Sequence, residues 1–304
     1  MSEQLMELSN SLAKLTETTA KSVVAIHTGT RGSSSGVVWS EGLILTAEHA
    51  LRRDEEIHVT LPNGRVVSAS LVGRDPSTDL AVLKCAEAGA PSFKVGSPES
   101  AKPGNLVLVV GQTRVSGPVA AFGVVSLAAA ERRTWMGSSL APYLRLDVGL
   151  QPTAVGGAVI DASGALLGIA TPRFARFGVV AVAAKTMDRV SETLLKKGRI
   201  PRGYLGVALQ PVRLPEQLRE SLKHPEKTAA MILEVEAGGP AHKAGIVIGD
   251  ILVSLEGEPV ARPENIQRFL QSENVGKTLK ARLVRGGAVQ EAAILVGDRT
   301  NGEA

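Results

Sequence analysis

The stretch Gly73-Arg74-Asp75-Pro76-Ser77-Thr78-Asp79-Leu80-Ala81-Val82-Leu83 sets a turn directly against an apolar run, and the fold class is read outward from it. Asp75-Pro76 opens the turn, because proline presets φ and an aspartate side chain bonds back to its own backbone. Leu80 to Leu83 then reads as a short buried strand. Upstream, Leu43-Ile44-Leu45 starts a second apolar strand that runs into Thr46-Ala47-Glu48-His49-Ala50. Between the two, Asn63-Gly64 separates residues 56–61 from residues 65–72, a strong signal for a type I′ hairpin. The same texture of short β-rich runs and turn residues holds from residue 22 to about residue 184, through 106–110, 120–126, 143–147, 157–160, 165–170 and 179–183. About a dozen such strands predict an all-β barrel or a pair of barrels.

Residues 185–197 change period. Met187, Val190, Leu194 and Leu195 recur at helical spacing, and Gly198 is placed to cap the helix. From Pro201 a second unit of about 100 residues begins, within the ordinary size range of a domain. It carries strand-like runs at 204–209, 231–235 and 251–255, a helix predicted over 263–271, and two strands around Gly286-Gly287, which together predict a small α+β module. At the other end, Leu5, Leu8, Leu12 and Leu15 mark one apolar stripe on a helix, read as packing on the next domain or as a self-association seam. The expected layout is a helix over 1–21, a β domain over 22–198, an α+β domain over 199–298 and a frayed tail over 299–304.

Composition excludes several classes. Aromatic residues make up 3% of the 304 and glycines number 32, so the core is built from small aliphatic side chains. One cysteine, Cys85, forms no internal disulfide and no thiolate zinc cluster, and it reads as an inert buried thiol. No run of 18 apolar residues occurs, so no membrane span is expected. The first residues show no basic segment followed by an apolar one, and a cytoplasmic location is expected. Net charge is +4, and the densest basic cluster, Lys196-Lys197-Gly198-Arg199 with Arg202, has no interleaved aromatics for base stacking. Nucleic-acid binding is therefore not expected, and neither a metal nor a cofactor is called for.

The chemistry is sought in His49 and Asp79. A histidine followed 30 residues later by an aspartate, in a two-barrel β protein, suggests the base and orienter of a catalytic triad. Gly32-Ser33-Ser34-Ser35-Gly36, Leu45-Thr46-Ala47-Glu48-His49, Gly73 to Val82 and Gly164-Ala165-Leu166-Leu167-Gly168-Ile169 together resemble the HtrA (DegP/DegS-like) serine proteases. The resemblance runs from about residue 22 to residue 296. It implies a chymotrypsin-like double barrel followed by a PDZ domain, His49 as general base and Asp79 as its orienting carboxylate. Where that family carries Asn-Pro-Gly-Asn-Ser-Gly-Gly-Pro, this chain has Gln151-Pro152-Thr153-Ala154-Val155-Gly156-Gly157-Ala158, so Val155 falls at the serine position. Valine has neither a lone pair to attack a carbonyl nor a proton for His49 to remove. The resemblance also places the oxyanion hole at the N–H groups of Thr153 and Val155, where the Thr153 side chain crowds the carbonyl site. Ser34, Ser35, Ser138 and Ser139 read as polar loop residues. These readings lead to the expectation of a protein that is not an enzyme.

In the second unit, Arg202-Gly203-Tyr204-Leu205-Gly206-Val207 resembles the carboxylate-binding loop of the family's PDZ domains. Tyr204, Leu205, Gly206 and Val207 would present backbone N–H groups to a terminal carboxylate while the peptide adds as a strand. Ile266, Phe269 and Leu270 would line a pocket for an apolar terminal side chain, or serve as core. The resemblance implies partners that are protein C-termini or extended segments, and a homo-trimer or a hetero-oligomer with an active homologue. The expected function is polypeptide binding, as scaffold or chaperone-like partner; the alternatives are an active HtrA-type endopeptidase in quality control and a structural subunit.

Overall fold

The computed structural model describes residues 2–28, 32–51, 56–91, 93–134 and 138–299, and divides the chain into two compact units, Met1–Ile200 and Pro201–Ala304. The first opens with helix α1 (Ser2–Ala20). Strands β1 (Val23–Thr28), β2 (Ser34–Ser40), β3 (Leu43–Ala47), β4 (Ile57–Thr60), β5 (Val66–Asp75) and β6 (Leu80–Lys84) follow, closed as a barrel in the order β1-β2-β3-β6-β5-β4. Next come β7 (Leu106–Gln112), β8 (Pro118–Ala129), the short hairpin of β9 (Arg132–Arg133) and β10 (Ser139–Leu140), then β11 (Tyr143–Asp147), β12 (Ala158–Asp161), β13 (Leu166–Thr171) and β14 (Val179–Ala183). The second barrel closes as β11-β14-β13-β12-β7-β8, so the chain is mostly β with a chymotrypsin-like double barrel. Closure leaves no open sheet edge in either barrel.

One apolar core joins the barrels. Val23, Val37, Leu45 and Leu80 of the first pack in one cluster with Leu108, Tyr143, Ile169 and Val182 of the second, all nearly or fully buried. Helix α2 (Ala184–Lys197) adds Met187, Val190 and Leu194 to that cluster. It ends where the sequence predicts: Gly198 donates its N–H to Leu194 O at 2.8 Å in a left-handed cap. In α1 the leucine stripe is divided. Leu12 and Leu15 are half-buried, whereas Leu5 and Leu8 are 62% and 43% exposed.

The second unit pairs β15 (Gly203–Tyr204) with β22 (Gly297–Asp298) and builds a sheet in the order β16-β17-β18-β20-β21. These strands are β16 (Val207–Arg213), β17 (Thr228–Val235), β18 (Ile251–Leu255), β20 (Thr278–Arg285) and β21 (Ala288–Leu295); β19 (Glu258–Pro259) pairs with β18. Helix α3 (Glu216–Leu222) occupies what reads in sequence as a mixed loop, because Leu218 and Leu222 alone carry its apolar face. The helix predicted over 263–271 is a 3-10 helix, Pro263–Phe269. Its last turn closes through Leu270 N–H to Gln267 O, and Leu270 O is taken by Gly203 N–H, which turns the chain out of the helix.

Asp250 is buried, and both its oxygens receive the Arg285 guanidinium at 2.7 Å while Val247 N–H donates to it at 2.9 Å. The Arg285 hydrogen bonds hold this carboxyl below its ordinary value against the opposing effect of burial. A lowered folded pKa stabilises above the unfolded value, about 3.9, and that contribution is lost as pH falls below it. Hydrogen exchange of the full-length chain should therefore show protection of the Val247 amide falling as pH drops below about 4. Asp250→Ala should lose that protection at neutral pH as well; unchanged protection in the variant would count against this role.

Candidate functional site

Strand pairing assembles the site. Strands β3 and β6 are neighbours in register Ala47↔Leu80, so the residues just past the end of one and just before the start of the other come together. His49 sits in the 3-10 turn Glu48–Ala50, and Asp79 precedes β6 with φ +58°, a left-handed conformation that aspartate tolerates better than most residues. The imidazole Nδ1 lies 2.9 and 2.8 Å from the two Asp79 oxygens, and His49 N–H donates to Oδ1 at 3.0 Å. Asp79 is fully buried, while the His49 side chain is 30% exposed. Thr171, at the end of β13, donates its hydroxyl to Asp79 Oδ2. Glu48 lies 3.4 Å from Arg74 and 3.6 Å from Arg173, and Arg173 also comes within 3.9 Å of Asp79.

The turn before Asp79 is fixed by Asp75. Its carboxylate accepts from Ser77 N–H at 3.1 Å, from the Ser77 hydroxyl and from Thr78 Oγ1 at 2.7 Å. The Asp-Pro turn legible in sequence is thus a fully hydrogen-bonded device that holds Asp79 in place.

Residues 151–158 form the other wall. Pro152–Ala154 is one 3-10 turn, and Val155 follows it, buried with 9% of its surface exposed. Val155 N–H donates back to Pro152 O at 3.3 Å, so it points into its own turn. Val155 O accepts from Ser35 N–H at 2.8 Å, the Ser35 hydroxyl donates to Thr153 O at 2.6 Å, and Gln112 N–H donates to the same hydroxyl at 2.8 Å. Gly156 has φ +78°, and a Cβ there would stand 2.3 Å from Ser35 O and 2.6 Å from Thr46 Oγ1, so only glycine lets this loop seat against β2 and β3. Ser35 was expected as a polar loop residue. It is fully buried in β2 and ties the first barrel to this loop.

Of the residues singled out in the second unit, Leu205 and Ile266 are buried, and Phe269 and Leu270 are half-buried against the same cluster. Gly206 has φ +71°, and a Cβ there would press on the Glu236 side chain at 3.2 Å. Leu205 O and Gly206 O accept from Ala241 and Glu236 N–H groups, whereas the N–H groups of Leu205 and Gly206 have no acceptor among the described residues. They lie at the start of β16, whose outer edge is unpaired in the sheet order. Two adjacent N–H groups without an acceptor among the described residues thus stand beside an open strand edge.

Thr171 and Arg173 have no signal in the sequence, since each reaches Asp79 from 92 residues or more away. Burial pushes the Cys85 thiol up, in keeping with an unreactive thiol. Among the described residues no group of three or more His, Cys, Asp or Glu side chains is arranged to hold a metal ion. Among the described residues no helix is long and apolar enough to cross a membrane.

The Asp79 cluster sets an energetic expectation. Asp79→Ala would leave the His49 N–H, the imidazole and the Thr171 hydroxyl without their acceptor, and unsatisfied buried groups cost about 1–3 kcal/mol each. Urea unfolding should therefore show a loss of about 3 kcal/mol, with Thr171→Val costing about 1 kcal/mol. A loss below about 1 kcal/mol in Asp79→Ala would show that the carboxylate does not organise the site.

Comparison with known proteins gives the class. Residues 34–169 match a trypsin-like peptidase domain and residues 231–285 match a PDZ domain. Proteins named probable periplasmic serine endoprotease DegP-like are 31% identical over 269 residues in Pseudomonas putida F1 and 30% identical over 274 residues in Halomonas elongata. Those alignments cover 87% and 88% of this chain but 55% and 57% of the relatives, so the chain spans about half their length. Among solved structures, a serine endoprotease from Yersinia pestis superposes with a TM-score of 0.74 at 26% identity, covering 95% of this chain and 98% of that one. The HtrA-type protease AlgW with tripeptide superposes with a TM-score of 0.73 at 27% identity, covering 95% and 97%. These findings correct two expectations. The chain was read as a non-enzyme on the strength of Val155, but the relatives are named serine endoproteases, and a similarity spread over most of the chain outweighs one side chain in assigning class. A cytoplasmic location was read from the first residues, but the relatives are named periplasmic, and a fold with one buried cysteine is indifferent to redox compartment. With a trypsin-like double barrel followed in sequence by a PDZ domain, and with these relatives, the chain is similar to the HtrA-type proteases.

Proposed function

We propose that this chain is an HtrA-type protein of protein quality control whose ligand is extended polypeptide. Its PDZ domain would take a chain's C-terminal end at Tyr204, Leu205, Gly206 and Val207, and its peptidase domain would receive an extended segment beside His49. The observation that carries the reading is the pair of unpartnered N–H groups at Leu205 and Gly206, at the head of an open strand edge. The relatives' names support peptide-bond hydrolysis as the chemistry of this family and the periplasm as its compartment. Phe269 and Leu270, half-buried beside the buried Ile266, supply the apolar surface for a terminal side chain.

In the peptidase domain His49 is the base position, and Asp79 orients it with Thr171 bonded behind. Val155 stands at the nucleophile position, and Thr153 and Val155 at the oxyanion positions. In the triad template the base removes a proton from an attacking hydroxyl, which then adds to the carbonyl. Attack from position 155 therefore requires an oxygen that valine lacks, and a carbonyl pocket there requires the turn at Thr153 to relax.

Two measurements test this reading. With unfolded casein as substrate, the double variant Thr153→Gly, Val155→Ser is expected to cleave at least about a hundredfold faster than the unsubstituted chain, and His49→Ala should remove the gain. No gain would show that residue 155 does not align with the attacking position. For the PDZ domain, a peptide with a free C-terminus should bind about tenfold or more tightly than the same peptide amidated, by fluorescence anisotropy. Equal affinities would remove the carboxylate site from the reading.

A further inference from the structure

In the peptidase domain, on the side of the His49–Asp79 pair where Arg173 stands, is a cavity of about 410 Å³ to which no role has been given so far. Arg132, Arg133, Arg173 and Arg176 line it, together with Tyr143 and Phe174, and no carboxylate does. Arg173 connects it to the pair, since the same guanidinium is 3.6 Å from Glu48 and 3.9 Å from Asp79. Arg132, Arg133 and Arg176 have no carboxylate at ion-pair distance among the described residues.

Two of the cations lie over aromatic rings. The Arg132 guanidinium lies over the Tyr143 ring, 5.1 Å from its centroid, and Tyr143 is buried in the core joining the barrels. Arg176 lies over Phe177 at 5.6 Å. Like charges converging on one cavity repel, and a partly enclosed site weakens solvent screening of that repulsion. An incoming carboxylate reverses the sign of the interaction, and planar guanidinium forks match its two oxygens.

We infer that this cavity is a specificity site that accepts the acidic side chains, aspartate or glutamate, of a polypeptide laid beside His49. The inference rests on the reading that extended polypeptide is the ligand, and it adds that the segment chosen is acidic. A cavity of this volume suits one or a few side chains.

The test uses the full-length chain and two labelled decapeptides amidated at the C-terminus, identical except for four central residues, glutamate in one and glutamine in the other. The glutamate peptide is expected to bind at least about tenfold more tightly, and the preference to shrink in high salt. Arg132→Gln with Arg176→Gln should bring the two affinities together, while Arg132→Lys with Arg176→Lys should keep most of the difference. Equal affinities in the unsubstituted chain would overturn the acidic specificity and leave the polypeptide reading standing. Failure of both peptides to bind, with free or amidated ends, would overturn both. A single-stranded oligonucleotide that displaces the glutamate peptide at equal charge concentration would also overturn it, because the surface would then be a general polyanion binder.

Discussion

The buried carboxylate of Asp79 is the acceptor on which the geometry of the peptidase domain turns. It takes the His49 backbone N–H and ring, and the hydroxyl of Thr171 from the far barrel. A carboxylate without exposure is tolerable only when its oxygens are occupied by donors, so these contacts are a condition for burying it at all. Because the donors come from β3's end and from β13's end, satisfying one residue also fixes the seam between two barrels. The Asp75 turn acts one step further back, since it sets the direction from which Asp79 enters and lets it hold φ +58°.

Much of this was legible in sequence because it depends on local chemistry. The strand texture and Gly198 each act within a few residues; Asn63-Gly64 does turn the chain between β4 and β5, but not as the type I′ turn expected, since only Gly64 of the two has a positive φ. The register Ala47↔Leu80 turns the spacing of two strand-end motifs into contact between His49 and Asp79. What was not legible depends on closure of the barrels. Ser35 reads as a polar loop residue in a Ser-Ser-Ser-Gly run, yet its hydroxyl bridges Thr153 O and Gln112 N–H across the seam. The buried hydroxyl is satisfied by groups 77 and 118 residues away, which no local pattern encodes. The exit from the 3-10 helix 263–269 is likewise non-local, since Leu270 O accepts from Gly203 N–H of a distant segment.

The two expectations that failed share a cause. Each inferred a property of the whole protein from a few residues: enzyme class from Val155, compartment from the first residues. Class is carried by the many positions that build a double barrel and its PDZ companion, and the relatives match along most of the chain. The valine remains a local chemical fact about one step, the supply of an attacking oxygen.

The two candidate ligand sites differ in the atoms that form them, and that difference governs how they respond to substitution. The proposed PDZ site would bind through backbone N–H groups, so most side-chain changes would leave it intact, and Gly206, which lets the backbone turn, would be the sensitive position. The arginine cavity is made from the ends of long side chains drawn from two separate segments, 132–133 and 173–176. Its charge changes one residue at a time without disturbing either barrel, since Arg132, Arg133 and Arg176 are exposed and bear no structural ion pair among the described residues. A backbone site suits a feature shared by every protein chain, its terminal carboxylate. A side-chain site suits discrimination among sequences, because its charge can be retuned without cost to the fold.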